Sequence, residues 1–179
     1  MTSALRTAFL IAGTCSGSWI PAQAQSLQKL SVQGSGAVLF GVTRDPNYVS
    51  RTRLGYEGQL RYTISRLSVG AGYQRSTVFA FPQNPLRLDL SLGFFEPRYV
   101  FATRGRAGLY VAGRVGLGKL VCADGCASNK TDAAFGGGGG VLFLVNRRLS
   151  ADLGGQYFRV SGGLSQGFIM ARSGVGVGL

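Results

Sequence analysis

Charged and amide side chains recur at every second position of LGYEGQLRYTI, the segment from Leu54 to Ile64. Glu57, Gln59 and Arg61 occupy these positions and alternate mostly with apolar or aromatic residues. Successive side chains of a β-strand point to opposite faces, so this spacing predicts a strand with one apolar face and one charged face. The chemistry open to the charged face is ion pairing between carboxylate and guanidinium groups.

Three later segments carry charges on the corresponding face. Arg114, Asp152 and Arg172 each fall among the small and polar residues of their own segment. Strands that close into a barrel bring such faces together around one lumen. We expect Glu57 to pair there with an arginine, either Arg61 of its own strand or one of the two later ones. Since bases outnumber acids, some luminal arginine is left to water or a bound anion. The alternative is solvated surface charge on a soluble sheet.

Other familiar chemistries lack their residues. The chain contains no histidine, which excludes Ser-His and Cys-His nucleophile systems and any His-ligated metal. The stretch from Gly113 to Leu120 imitates a phosphate-binding loop, but Leu120 stands where Ser or Thr would hold magnesium, and no helix follows. The glycine run 136–140 also lacks a helix. We therefore predict no catalytic, metal or cofactor-binding residues and no cofactor.

Two cysteines, Cys122 and Cys126, lie close together in a predicted loop. Asp124 and Gly125 between them can form a turn, and an exported chain meets oxidising conditions. We predict a local disulfide that stiffens the loop tip. The alternative is a metal held by two thiolates, which would need further ligands.

The first 24 residues have the pattern of a secretory signal peptide. Arg6 is followed by an uncharged and mostly apolar stretch, and an A-x-A site ends at Ala24. We predict a signal peptide over 1–24 and one domain over 25–179. The alternative, a membrane anchor helix, would need a longer and less interrupted apolar segment.

The net charge of +12 and the pI of about 10.5 raise the question of nucleic acid. The lysines and arginines are scattered singly, and no DNA- or RNA-binding motif is present. We therefore predict no nucleic-acid partner. Anionic lipid head groups are a more natural neighbour for this surface.

Two-residue periodicity recurs in eight segments, and no segment has a helical period. Tight connections at 65–66, 102–106 and 146–148 alternate with long ones at 43–52, 76–85, 119–131 and 159–167. In the fourth segment we expect Leu90, Leu92 and Phe94 on the apolar face, with a bulge between Phe94 and Pro97 that shifts the pattern. Many glycines fall on the charged parity, as a narrow lumen filled by large side chains requires.

This order of strands and loops resembles the small eight-stranded outer-membrane barrels of the OmpA and OmpX type. The last strand, from Arg172 onward, resembles that family's assembly signal through Gly174, Val177 and Leu179. The family usually ends in an aromatic residue, from which Leu179 departs. The resemblance implies an all-β fold, an eight-stranded antiparallel up-and-down transmembrane β-barrel with short periplasmic turns and longer extracellular loops.

The function implied is that of a non-enzymatic integral protein of the cell outer membrane. Its narrow charged lumen would make it porin-like in fold but not freely conducting, and its loops would serve envelope integrity, adhesion or partner binding. Expected partners are outer-membrane lipids and the assembly machinery, the expected state is a monomer, and the loop ligand is open. The absence of histidine argues against the lipid A deacylase, palmitoyltransferase and omptin barrels. The alternative is a soluble secreted or periplasmic β-barrel, its apolar face turned inward around a small lipophilic ligand.

Overall fold

Eight β-strands, each antiparallel to its neighbours, make up almost all of the residues that the computed structural model describes, which are 29–42, 53–80, 86–122, 131–161 and 166–179. Each strand pairs with the next along the chain, and β8 pairs with β1. This closed barrel confirms the predicted fold class. The strands are β1 Leu30–Val42, β2 Arg53–Ile64, β3 Leu67–Ala80, β4 Leu86–Arg104, β5 Ala107–Cys122, β6 Thr131–Leu144, β7 Leu149–Val160 and β8 Gln166–Gly178.

Two predictions fall outside this part of the chain. The signal peptide over 1–24 lies wholly outside the described residues, and so does Cys126. Cys122 ends β5, but its side chain is not described. The loop disulfide therefore stays a prediction. Within the described ranges, no helix is long and apolar enough to cross a bilayer.

Short and long connections lie at opposite ends of the barrel. Ser65 and Gly105 begin two of the short turns with φ angles of 54° and 58°, the left-handed region that a tight turn between antiparallel strands requires. Residues 145–148 form the third, and we call this end the turn end. The intervals 43–52, 81–85, 123–130 and 161–165 follow strands at the other end, the loop end. Three of these intervals are shorter than predicted, because the strands continue further toward the loop end.

The fourth strand corrects the sequence interpretation. Leu90 and Leu92 are fully buried and Phe94 is nearly so, which puts all three on the inward face and not on the apolar outer face. The register of β4 with β3 runs without interruption through Phe94 and Pro97, so the predicted bulge is absent there. The irregularity lies lower, between Val100 and its neighbour at 102, in the pairing with β5.

The outer surface of the barrel is apolar. Leu54 is 79% exposed and Leu117 64%, and apolar side chains of every strand share this outward parity. The alternative of a soluble barrel with its apolar face inward is wrong, because these faces point the other way. Most of the outward aromatic residues lie toward one end of the barrel or the other, as the girdles of a transmembrane barrel do. They are Phe40, Tyr56, Phe135 and Tyr157 toward the loop end and Tyr62, Tyr99, Phe101 and Phe143 toward the turn end. Tyr73 and Phe95, also outward, lie near the middles of their strands.

Glycines of β6 let two strands approach closely. A Cβ placed on Gly138 would meet the carbonyl oxygen of Gly155 and lie 2.6 Å from the Cα of Gln156. A Cβ on Gly136 would lie 2.5 Å from the Cα of Phe158. Only hydrogen fits at such an approach, and the inward face of β6 thereby leaves room for the large side chains of β7.

Candidate functional site

The interior of the barrel is filled by side chains in layers along its axis. Nearest the loop end is an apolar layer. It consists of Ala37, Leu39, Leu90, Leu92, Phe94, Ala134, Phe158, Val160, Phe168 and Met170. Below it is a charged layer. It consists of Glu57, Arg61, Glu96, Arg98, Arg114, Asp152 and Arg172. A small apolar group, Val100, Tyr110 and Ala112, packs with Leu142 toward the turn end.

Glu96 is the centre of the charged layer, and its side chain is 0% exposed. Arg61 Nη2 donates to its Oε1 at 2.8 Å, and Arg114 Nη2 donates to its Oε2 at 2.6 Å. Arg172 binds both oxygens, with Nη1 at 2.8 Å from Oε2 and Nη2 at 2.9 Å from Oε1. Arg98 Nη2 lies 3.3 Å from Oε1. One carboxylate thus contacts all four arginines of the layer.

Two further carboxylates complete the layer from other strands. Glu57 of β2 accepts from Arg114 Nη2 and from Arg172 Nη1, each at 2.9 Å. Asp152 of β7 accepts from Arg98 Nη1 at 2.9 Å. The layer therefore joins β2, β4, β5, β7 and β8 across the lumen.

Amide and hydroxyl groups add further hydrogen bonds to the charged layer. Arg114 Nη1 donates to Gln74 Oε1 at 2.8 Å, and Gln156 Nε2 donates to Glu96 Oε2 at 2.8 Å. Arg61 donates to Gln59 Oε1 at 2.8 Å and to Ser68 Oγ at 3.0 Å. Buried charges are stabilised only when such neighbours also satisfy their hydrogen bonds.

Aromatic rings separate the charged layer from the apolar groups on both sides. The guanidinium carbon of Arg114 lies 3.8 Å from the ring centroid of Phe94, and that of Arg98 lies 4.0 Å from the ring centroid of Tyr110. At these distances a guanidinium is attracted by the face of the ring. Each apolar group therefore meets the charges through an aromatic face.

The positive charges of the layer outnumber the negative ones. Among the described residues it holds four arginines against three carboxylates, and all seven side chains are buried. In a low-dielectric interior the ion pairs are strong, but each charge has also lost its hydration, so an unmatched charge is costly. The layer carries one positive charge for which it contains no carboxylate.

The residues chosen from the sequence all lie on the inward face. Glu57 forms ion pairs with both Arg114 and Arg172. Asp152 Oδ1 lies 3.4 Å from Arg172 Nε. Arg61 binds Glu96 and not Glu57, the partner on its own strand that the spacing suggested.

Sequence reasoning missed Glu96 and Arg98. Both residues share the parity of Leu92 and Phe94, which the sequence pattern predicts on the outer face. The bulge predicted between Phe94 and Pro97 would have moved Glu96 and Arg98 to the other face, so their charges did not contradict that prediction. A signal was available, because two charges at alternate positions exclude lipid on that face. Without a bulge, Phe95 has the opposite parity to Phe94 and Glu96 and points outward, where it is 47% exposed.

The last strand lines both surfaces of the barrel. Gly174 is buried on the inner face beside Ser35 of β1. Val177 and Leu179 face outward. The backbone N–H of Leu179 donates to the carbonyl of Leu30 at 3.0 Å, so the strand remains paired with β1 to its end. An assembly role for these residues stays a prediction.

The arrangement can fill the lumen and cross-link strands. Its ionisable groups are arginines and carboxylates bound to each other, and no group of three or more His, Cys, Asp or Glu in the described ranges could hold a metal ion. The chemistry that the geometry supports is therefore ion pairing.

Comparison with protein-family models gives no match, and no curated protein matches the sequence. Solved structures do match. Neisserial surface protein A (NspA) has a TM-score of 0.73 at 18% identity, over 84% of this chain and 97% of that one. The N-terminal β-barrel domain of Pseudomonas aeruginosa OprF has a TM-score of 0.55 at 15% identity, again over 84% and 97%.

Both similar structures are eight-stranded outer-membrane barrels. At this level of identity the likeness concerns the fold. The chain has the fold of a small outer-membrane β-barrel, which confirms the resemblance seen in the sequence. The same fold, together with the apolar outer surface, supports the outer membrane as its location.

Proposed function

We propose that the protein is a non-enzymatic integral outer-membrane barrel with a closed lumen, which anchors surface loops for envelope integrity, adhesion or partner binding. The observation that carries the proposal is the arrangement of its two faces. Large apolar side chains cover the outside, while Glu96 and the arginines bound to it fill the inside. A protein in water would bury the first set and expose the second.

Outer-membrane lipids are the partners of the outer face. A signal peptide over 1–24 would export the chain, and β8, with Gly174, Val177 and Leu179, would be read by the assembly machinery. We propose a monomer, because a barrel closed by the pairing of β1 with β8 leaves no strand edge for a second copy. A disulfide between Cys122 and Cys126 would stiffen one loop.

The lumen is closed by two successive layers. The charged layer holds Arg114 and Arg172 at 0–1% exposure of their side chains. Leu90 and Leu92, both 0% exposed, belong to the apolar layer above it. An eight-stranded barrel is only wide enough for its side chains, so neither layer leaves a water-filled path. We expect no stepwise ion conductance from the purified protein in a planar bilayer at high salt, and stable open channels would contradict a closed lumen.

The lipid-facing surface gives the sharper experiment. Leu60 and Leu54 both lie outward on β2, Leu60 between the aromatic residues Tyr56 and Tyr62 and Leu54 near the loop end. Leu60→Lys puts a charge within the lipid-facing band and should lower the free energy of unfolding by about 2 to 4 kcal/mol, whereas Leu54→Lys near the interface should lower it by about 0 to 1 kcal/mol. Urea unfolding in lipid vesicles, followed by the migration of unboiled protein in electrophoresis, measures both.

The depth dependence is the discriminating result. On the surface of a soluble protein both lysines would be solvated, and the two variants would be equally stable. Equal stability of the two variants, together with recovery of the protein from the periplasm rather than from the membrane fraction, would reject the proposed function.

A further inference from the structure

A cavity of about 90 Å³ lies inside the turn end of the barrel, where the charged layer ends. Its lining includes Arg61 and Arg98 of the charged layer and Arg147 and Arg148 of the turn 145–148. No Asp or Glu belongs to the lining. A site for one water needs only about 10 to 15 Å³, so the cavity has room for a small anion and several waters.

Both buried arginines of this cavity keep a donor without an acceptor. Arg61 uses Nη1 and Nη2 on Ser68, Gln59 and Glu96, and its Nε has no hydrogen-bond partner. Arg98 uses Nη1 on Asp152, and its Nε likewise has none. Their side chains are 6% and 2% exposed. These Nε atoms are themselves closed to solvent, so what Arg61 and Arg98 offer an anion in the cavity is the positive charge of their guanidinium groups.

The charge balance points the same way. The charged layer holds one more arginine than it holds carboxylates, and two of its arginines, Arg61 and Arg98, line the cavity, with Asp152 bound to Arg98. Arg147 and Arg148 add two charges at the mouth of the cavity, with exposed side chains. An anion that enters from the turn end would therefore balance the extra positive charge of the layer.

The rim around the mouth is also basic. Lys29, Arg66, Arg104 and Arg106 are exposed at the same end of the barrel. Every Asp or Glu of the described residues lies either in the charged layer or toward the loop end, as do Asp89 and Asp132. A concave site surrounded by charges of one sign concentrates counter-ions and speeds their entry.

We propose that this cavity binds a small tetrahedral oxyanion, inorganic phosphate or the phosphate of a monoester or lipid head group, between Arg61, Arg98, Arg147 and Arg148. Guanidinium groups match phosphate oxygens in pairs of parallel hydrogen bonds, and several of them around one site suit a group that carries up to two negative charges. Ser31, Thr63 and Ser68, which also line the cavity, supply hydroxyl donors. The proposal goes beyond the proposed function, which needs no ligand in the lumen.

The test is isothermal titration of the folded full-length protein with inorganic phosphate at constant ionic strength. The variant R147Q/R148Q removes two lining charges, and R66Q/R104Q removes two charges from the same rim without touching the lining. We expect saturable binding to the wild type, a Kd at least about tenfold higher in R147Q/R148Q, and a change of less than about twofold in R66Q/R104Q. The heat-dependent shift in electrophoresis verifies that each variant is folded.

Two results would overturn the site. One is the absence of saturable phosphate binding. The other is an equal loss in both variants, which would indicate a diffuse surface potential and no defined site. A second arm repeats the titration in vesicles that contain phosphatidylglycerol. Competition by this lipid would identify the bound group as a head-group phosphate, and unchanged binding would identify the free anion.

Discussion

Two layers of opposite chemistry fill the interior of the same barrel. In the apolar layer, Phe158 and Phe168 stack with ring centroids 5.3 Å apart, and neighbouring side chains fill the remaining space. In the charged layer, Glu96 holds four arginines through directed hydrogen bonds. The first layer depends on volume, whereas the second depends on each donor having its acceptor.

This difference in chemistry predicts how the stability of each layer should respond to substitutions. An apolar layer tolerates substitutions that conserve volume, because dispersion and burial are not directional. A buried network of charges fails when one member is removed, because the remaining charges keep their desolvation cost and lose their partner. The two layers should therefore differ most for substitutions that preserve shape and remove charge.

The largest effect is expected from Glu96→Gln. The substitution keeps the shape of the side chain but leaves four buried arginines without their common carboxylate, and we expect the free energy of unfolding to fall by about 3 to 5 kcal/mol or more. Urea titration in lipid vesicles measures it. Asp89→Asn is the matched control, since Asp89 pairs at 3.5 Å with an Arg75 whose side chain is 52% exposed, and such a pair contributes only about 0 to 1 kcal/mol.

Similar stabilities of the Glu96→Gln and Asp89→Asn variants would contradict this view of the charged layer. That outcome would mean that water or counter-ions reach the arginines and replace the carboxylate. The two layers would then differ in hydration rather than in their tolerance of unpaired charge.

A smaller loss is expected in the apolar layer from Leu92→Ala. Leu92 is fully buried, and removal of its side chain leaves a cavity, so we expect a loss of about 2 to 5 kcal/mol. The control Leu92→Met conserves volume and should cost less than about 1.5 kcal/mol. If Leu92→Met proved as damaging as Leu92→Ala, the layer would depend on shape as strictly as the charged layer depends on pairing.

The fold could be predicted because a two-residue period says which side chains share a face. The period recurs in eight segments, and the closed antiparallel barrel follows from their number and their connections. The same period led to Glu57, Arg61, Arg114, Asp152 and Arg172, since a charge on a lipid-facing parity is excluded.

The two-residue period alone does not show whether an apolar face points to lipid or to an apolar part of the lumen. In β4, Leu90, Leu92 and Phe94 alternate with polar or small residues just as a lipid-facing strand would, yet they form part of the apolar layer. Their neighbours Glu96 and Arg98 decide the matter, because all five share one parity and charges cannot face the membrane. Which arginine binds which carboxylate depends on the stagger between strands. The spacing of residues within one strand gives no information about that stagger.

The smallest change in stability is expected from alanine substitutions of two glycines, one on the inner wall beside the charged layer and one on the outer face. Gly138 of β6 faces Gln156, and a Cβ there would lie 2.6 Å from its Cα and against the carbonyl oxygen of Gly155. Relief requires movement of backbone, so Gly138→Ala should cost about 1 to 3 kcal/mol. Gly34 on the outer face of β1 has no atom within 4 Å of such a Cβ. Gly34→Ala should therefore be neutral or stabilise by up to about 1 kcal/mol, since alanine loses less backbone entropy on folding.

Urea titration of the two variants measures the difference, and equal stabilities would show that β6 and β7 can separate. In that case the glycines of β6 would not set the width of the lumen, and the close fit of the charged layer would rest on its ion pairs alone.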